Sequence, residues 1–479
     1  MMDMFLHGDW RPAASGRRFD VTEPTTGAVI DSVPMAGAAD ADSAIASAAQ
    51  AFALWRKVPM AERVRLQKAC AQAMRDQAAQ IGAVLHRELG RPLPGCVQEI
   101  ARSADLLDIY AEEGLRLTAT MALGSAPGER TIVTRDPVGV VVAIAPFNYP
   151  ITLLMFKLGA ALIAGCTVVA KPSEDTPLST LMLADLFHAQ GLPRGCFNVV
   201  TGGRDLGEAL VAHPVPRKIA FTGSVPAGKA IAAAAAGTMK RLTLELGGHS
   251  AALVCADADL ERAADAITRH GFANSGQFCY RVNRVYVDRT AYSRFLELMA
   301  ARAQKLTLAP AGGTGDLGPL VNARIFANSE SQIADARAKG ARILTGGARA
   351  TGPGFDGGHW LPPTLIADAT PDMLVMREET FGPVIGIAPF DTPAQGLAMA
   401  NDSRFGLAGF VFARDLALGL ALCEGLEAGS VWLNDIQRSS HHVPFGGMKE
   451  SGLGREKGRY GVEAYLEYKT LYLTHEVPL

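Results

Sequence analysis

Residues 138–156 constrain this chain most: they are almost wholly apolar, yet Pro146 and Pro150 interrupt them with Asn148 in between. The run is long enough to suggest a membrane-spanning helix, but two prolines near its middle would break the helical hydrogen-bond ladder twice. The pattern instead predicts a buried parallel strand over 138–145, a tight turn, and a buried helix from about Ile151.

The rest of the chain continues in that style. Long helices are expected over 39–53 and 61–89, where Ala, Leu, Gln and Arg abound. Strands are expected over 139–145, 167–170, 196–200 and 218–221, separated by helices over 178–190, 205–212 and 227–236. That alternation predicts a doubly wound α/β sheet. A second α/β stretch starts near Ser250, with strands over 251–254, 284–287, 385–389 and 409–412. Residues 467–474 alternate like an edge strand of the kind that pairs outside its own domain. At 479 residues the chain exceeds one ordinary core, so two or three domains are expected.

Forty-six basic against 48 acidic residues leave a net charge of −2, with no charged tail to serve nucleic acid or an anionic membrane. The seven cysteines are odd in number and form no Cys-x-x-Cys pair, which argues against a disulfide framework or a zinc site. A reducing cytoplasm is the expected compartment. Residues 1–20 lack the apolar core of a signal peptide.

Several short motifs carry chemistry. Gly313, Gly315 and Gly318 spell Gly-x-Gly-x-x-Gly, but no strand precedes them and Pro319 follows, so a plain surface loop is expected. Residues 221–228, Phe-Thr-Gly-Ser-Val-Pro-Ala-Gly, run from a short strand through a glycine turn into a helix. Such a turn either aims backbone N–H groups at a pyrophosphate or is an ordinary βα connection. Cys279 ends Asn-Ser-Gly-Gln-Phe-Cys, a loop rather than a packed helix face. Glu245 lies 34 residues earlier, between two leucines and ahead of Gly247 and Gly248. A carboxyl in apolar surroundings has a raised pKa, which suits a general base; a buried ion pair is the competing reading. Asn148, between prolines at the end of a buried strand, either donates to an oxyanion or satisfies turn backbone.

Taken in order, Phe147-Asn148-Tyr149-Pro150, Lys171-Pro172-Ser173-Glu174, Phe221-Thr222-Gly223-Ser224, Glu245-Leu246-Gly247-Gly248, Gly276-Gln277-Phe278-Cys279, Glu379-Thr380-Phe381-Gly382-Pro383 and Pro444-Phe445-Gly446-Gly447 resemble the aldehyde dehydrogenase superfamily over essentially the whole chain. The resemblance implies an α/β fold with two doubly wound domains, a Rossmann-type coenzyme domain over 1–117 and 138–247 and a catalytic domain over 248–449. A small bridging β element over 118–137 and 463–479 would pair between subunits, implying a homodimer or homotetramer. It further implies that Cys279 attacks an aldehyde, that Asn148 and the Cys279 N–H hold the oxyanion, and that Glu245 activates water to release a free acid. Lys171 is implied in both catalysis and cofactor binding. Lys171 and Glu174 would contact the adenine ribose, Gly223, Ser224 and Gly228 the pyrophosphate side, and Glu379, Phe381 and Phe147 the nicotinamide side. A carboxylate at 174 repels a 2′-phosphate, so NAD is expected over NADP.

By position, the substrate tunnel would be lined near Arg102, Tyr149, Thr152, Phe156, Phe278, Tyr280, Gln437, Arg438 and Phe445. Arg102, Arg281 or Arg438 is expected either to anchor an anionic or polar tail or to serve in structural ion pairs. Succinate-semialdehyde dehydrogenases of the superfamily carry anchoring arginines where this chain has Phe156 and Ala273. That departure argues against succinate semialdehyde itself and leaves room for another semialdehyde or a polar or aromatic aldehyde.

Overall fold

The computed structural model describes residues 1–437 and 439–475. Its organising unit is the strand Val140–Ile144 followed by the helix Pro150–Ala164. Val140 and Val142 face one side, toward Ala41, Ala44 and Ile45 of the helix Ala38–Trp55. Val141 and Ala143 face the other, toward Leu158 and Ile163. Both faces are covered by helices, so the strand is apolar throughout rather than alternating. No helix among the described residues is long and apolar enough to cross a membrane.

Five parallel strands form the heart of the first sheet, in the order Phe197–Val199, Thr167–Lys171, Val140–Ile144, Lys218–Thr222, Arg241–Glu245. By chain position this order is 3-2-1-4-5, which reverses direction between Val140–Ile144 and Lys218–Thr222. The crevice beyond the carboxyl ends of those two strands is where open α/β sheets bind ligands. The second sheet runs Arg342–Thr345, Thr364–Ala367, Val384–Phe390, Val282–Asp288, Ser250–Val254, Ala408–Phe412, Ser430–Leu433, and is parallel except at the first strand. A third sheet joins Thr120–Leu123, Glu129–Pro137 and Leu466–Thr474, with the last along one edge.

One expected helix is divided. Residues 61–89 form two helices, Met60–Asp76 and Ala78–Leu89, with a break at Gln77. No glycine or proline marks the break. The second helix turns to pack on Leu93–Leu115 and Leu178–Ala189, and its buried Glu88 accepts hydrogen bonds from Ser179 N at 3.1 Å and Ser179 Oγ at 2.7 Å. A carboxylate at the N–H groups that a helix start leaves without intrahelical partners is favourable, and this long-range contact outweighs the propensity for one continuous helix. The loop carrying Gly313, Gly315 and Gly318 is exposed only at its tip; Gly318 is buried.

Candidate active site

The turn after Val140–Ile144 carries Asn148, which is buried. Its Nδ2 donates to Gln277 O at 3.0 Å, and its own carbonyl accepts from Asn274 Nδ2 at 3.1 Å. The turn is therefore tied in both directions to the loop before Cys279. From the other side it is held by Arg91 and Glu99, a buried ion pair. Glu99 Oε1 accepts from Ile151 N and Thr152 N, both at 3.0 Å, at the start of the helix Pro150–Ala164. The Arg91 guanidinium lies 4.6 Å over the Tyr149 ring. Sequence reading missed this pair because its partners are distant in sequence and no local pattern joins them.

Asn274, Ser275 and Gly276 have φ of 49°, 56° and 73°, three left-handed residues in succession. Gly276 is required there, since a Cβ would stand 2.2 Å from Gly382 O. Side chains brace the strained loop. Ser275 Oγ donates to Gly318 O at 2.7 Å, and Gln277 Oε1 accepts from Val321 N at 3.0 Å. The buried end of the glycine loop at 313–318, expected to be plain surface, is thus a buttress for the Cys279 loop.

The Cys279 thiol is free, and its pKa is pushed up to about 12 by burial and then by the carboxylates of Glu379 and Glu245. The N–H groups of Cys279 and Tyr280 act in the opposite direction. The thiol therefore rests protonated, and forming a thiolate requires a nearby proton acceptor. Glu245, at the carboxyl end of Arg241–Glu245, is 3% exposed. Among the described residues neither of its oxygens has a hydrogen-bond partner. Burial first, then the Glu456 carboxylate, raises its pKa well above the ordinary carboxyl value. The alternative of an ion pair at Glu245 is answered by Lys157, whose Nζ donates instead to Glu456 at 2.8 Å and Thr222 Oγ1 at 2.6 Å.

On the crevice side, Ser224 caps the helix Val225–Ala236, its Oγ accepting from Ala227 N at 3.4 Å. Gly228 packs so closely that a Cβ would meet Leu246 at 2.4 Å. Lys171 and Glu174 form an ion pair at 3.3 Å, the lysine buried and the carboxylate half-exposed. Glu379 accepts from Gly248 N at 2.9 Å, and burial lifts its pKa to about 7. Phe381, at φ 57°, sets its ring edge-on to Phe147 at 5.7 Å. A helix N-terminus beside the topological switch point, with an accessible carboxylate and a lysine at the end of the neighbouring strand, fits a dinucleotide.

The tunnel candidates mostly share one aromatic wall. Tyr149 meets Phe278 at 6.3 Å, Phe278 meets Tyr280 at 5.2 Å, and Tyr280 meets Phe445 at 5.4 Å. Phe156 faces His441 at 6.5 Å, and Thr152 Oγ1 lies 2.9 Å from Ser103 Oγ. The charge of Arg102 depresses the pKa of Lys457 after burial does, and that of His441 after burial and Lys457 do. Gln437 is exposed, and Arg438 lies outside the described residues. Of the two roles expected for Arg281, anchor or structural, its contacts favour the structural one, with backbone carbonyls in place of ion pairs. It is 0% exposed and donates to Gly271 O at 3.3 Å, Val282 O at 3.0 Å and Val384 O at 2.8 Å. Both terminal nitrogens of its guanidinium are thereby tied to backbone carbonyls of the second sheet and the segments beside it. Lys457, which sequence reading passed over, is buried against this wall.

The profile of the aldehyde dehydrogenase family matches residues 10–471. The chain is 39% identical to the glutarate-semialdehyde dehydrogenase of Pseudomonas aeruginosa, over 98% of this chain and 97% of that one. It is 38% identical to the succinate-semialdehyde dehydrogenase [NADP(+)] of Escherichia coli, over 97% and 96%. Its fold superposes on the crystal structure of an E. coli NADP-dependent enzyme with a TM-score of 0.95 at 38% identity, covering 99% of this chain and 98% of that one.

Proposed function

Because the chain belongs to the aldehyde dehydrogenase family, whose members oxidise aldehydes through a catalytic cysteine, we propose that Cys279 is the nucleophile, Asn148 the oxyanion donor and Glu245 the general base. One observation carries this reading. Three segments far apart in sequence converge, and the Asn148 amide is hydrogen-bonded to the very loop that presents Cys279. Cys279, once ionised, attacks the aldehyde carbon and forms a thiohemiacetal. The oxyanion is held by the second N–H of Asn148 Nδ2 and the backbone N–H of Cys279. The nicotinamide of NAD(P), when bound, supplies the two-electron acceptor that leaves a thioester on Cys279. Glu245, desolvated and hence strongly basic once ionised, takes a proton from the water that hydrolyses the thioester to a free acid.

Lys171 and Glu174 are read as the adenine-ribose contacts, Gly223, Ser224 and Gly228 as the pyrophosphate side, and Glu379, Phe381 and Phe147 as the nicotinamide side. The half-exposed Glu174 carboxylate supports NAD over NADP. The domain reading of 1–117 with 138–247, 248–449, and 118–137 with 463–479 is supported by the three separate sheets. A homodimer or homotetramer is supported by Met121, Leu123, Tyr468 and Tyr472, large apolar side chains exposed on the third sheet. For the substrate, the glutarate-semialdehyde dehydrogenase relative and the cationic side chains near the tunnel support an aldehyde with a polar or anionic far end.

The test is the formation of reduced nicotinamide with an aldehyde panel, NAD or NADP, and coenzyme A present or absent. Turnover that does not need coenzyme A is expected. A strict coenzyme A requirement would overturn the hydrolytic step, and no turnover with any aldehyde would overturn the assignment of Cys279.

A further inference from the structure

Lys457 carries a side chain that its backbone does not favour. Its φ of 70° and ψ of 158° lie in a region that suits glycine and strains an L-residue. The side chain is nevertheless drawn inward and is only 4% exposed. Its Nζ stands 4.7 Å from the centre of the Phe445 ring and 5.0 Å from that of Phe156, and donates to Ser439 Oγ. Among the described residues no carboxylate lies within ion-pair distance of it. A buried ammonium has three donors, and the ring faces stabilise its charge without accepting them as an anion would. Burying an ammonium without an ionic partner is costly.

Its position ties it to the chemistry. Glu456 and Phe445 form an antiparallel bridge, with backbone hydrogen bonds of 2.9 and 2.8 Å, that fixes the lysine beside the aromatic wall. Lys457 N donates to Tyr110 Oη at 3.2 Å, and Tyr110 Oη donates to Phe156 O at 3.1 Å. Phe445 belongs to the wall that leads through Tyr280 and Phe278 to Cys279, and Lys457 bridges it to Phe156. Burial and then Arg102 push the pKa of Lys457 down to about 8, while the charges of Glu456, Glu245 and Cys279 act the other way. The ammonium thus senses both reacting groups, and Arg102 adds positive charge around it.

We propose that Lys457 is the cationic anchor of the substrate channel, binding the carboxylate or sulfonate end of a short aldehyde whose carbonyl reaches Cys279. The proposal rests on the reading of Cys279 as the nucleophile. An anion at Nζ would supply the ionic partner and the further acceptors that the described residues do not provide. Arg281, a fully buried cation next to Cys279 in sequence, directs both terminal nitrogens of its guanidinium to backbone carbonyls and so is the weaker candidate for this role.

The test compares kcat/KM for aldehydes of equal length that end in carboxylate, sulfonate or methyl. Lys457→Gly removes the ammonium and suits the backbone. It is expected to lower the anionic-to-neutral ratio by about 10- to 100-fold, mainly through KM. Lys457→Arg is expected to restore most of that ratio. The larger fall, for carboxylate or for sulfonate, identifies the anion. An unchanged ratio in Lys457→Gly, or an equal loss on anionic and neutral aldehydes, overturns the anchor while leaving the dehydrogenase reading intact. A wild-type enzyme that oxidises none of the three aldehydes counts instead against the reading of Cys279.

Discussion

The two large sheets approach the candidate site from opposite ends of their strands. The first presents its carboxyl ends: Asn148 follows Val140–Ile144, Gly223 and Ser224 follow Lys218–Thr222, and Glu245 closes Arg241–Glu245. The second presents its amino ends: Cys279 stands just before Val282–Asp288, and Glu379 and Phe381 stand before Val384–Phe390. Strand ends and helix starts hold the first group through regular backbone. The second group depends on a loop of three left-handed residues braced by the Ser275, Gln277 and Asn274 side chains. On the proposed roles, the nucleophile stands on a strained, side-chain-held loop, and the oxyanion donor and base stand at rigid strand ends.

The strongest way to break this division is Cys279→Ser. A hydroxyl is a poor nucleophile at neutral pH, so turnover is expected to fall by about 10⁴-fold or more while NAD(P) binding, followed by fluorescence titration, persists. Appreciable turnover would remove the loop from the chemistry. Next in size is Glu245→Gln, on the opposing strand end. A stoichiometric burst of reduced cofactor should survive while the steady state drops by about 10²- to 10⁴-fold. Because Glu245 has a raised pKa, its ionised, base-competent fraction grows as pH rises. The wild-type steady-state rate should therefore climb with pH, and this limb should vanish in the variant. Loss of the burst as well would mean that Glu245 also takes the thiol proton, joining the two sides in both half-reactions.

Asn148→Ala should cost about 10²- to 10³-fold in kcat, since one oxyanion donor is removed. It also cuts the Nδ2 bond to Gln277 O, so hydrogen exchange of the 274–279 loop should quicken. A slower enzyme with an unchanged loop would separate the donor role from the tethering role. The smallest effect is expected farthest from the junction. Glu174→Gln should shift the NADP-to-NAD ratio of kcat/KM by about tenfold toward NADP, because a repelling charge near the 2′ position is gone. An unchanged ratio would place cofactor choice elsewhere.

The local units were legible because their signals are local. Prolines flanking Asn148 after an apolar run specify a strand, a turn and a helix start, and the first sheet's strands and helices follow the same logic. Cys279, Glu245 and Asn148 stood out by residue type in odd surroundings and by the order of their motifs. The break at Gln77 had no such signal, because distant helix packing and the Glu88 contacts produce it. Arg281 was open to misreading for a related reason. An arginine near a reactive cysteine suggests an anchor, and only the fold shows that backbone carbonyls use its donors. Lys457 was invisible in the other direction, since Arg-Glu-Lys-Gly has the composition of a solvated turn.

What the sequence by itself determined was therefore the alternation of elements, the family and the reacting residue types, all of which depend on short-range periodicity and ordered motifs. What only the tertiary structure decided was which charges are buried and what they meet. Among the described residues Glu245 is left without a hydrogen-bond partner, Lys157 is paired with Glu456, Arg281 is turned into a staple, and Lys457 is brought to the aromatic wall. Burial and partner are properties of segments far apart in the chain, and desolvation, the largest influence on such groups, exists only after those segments have packed.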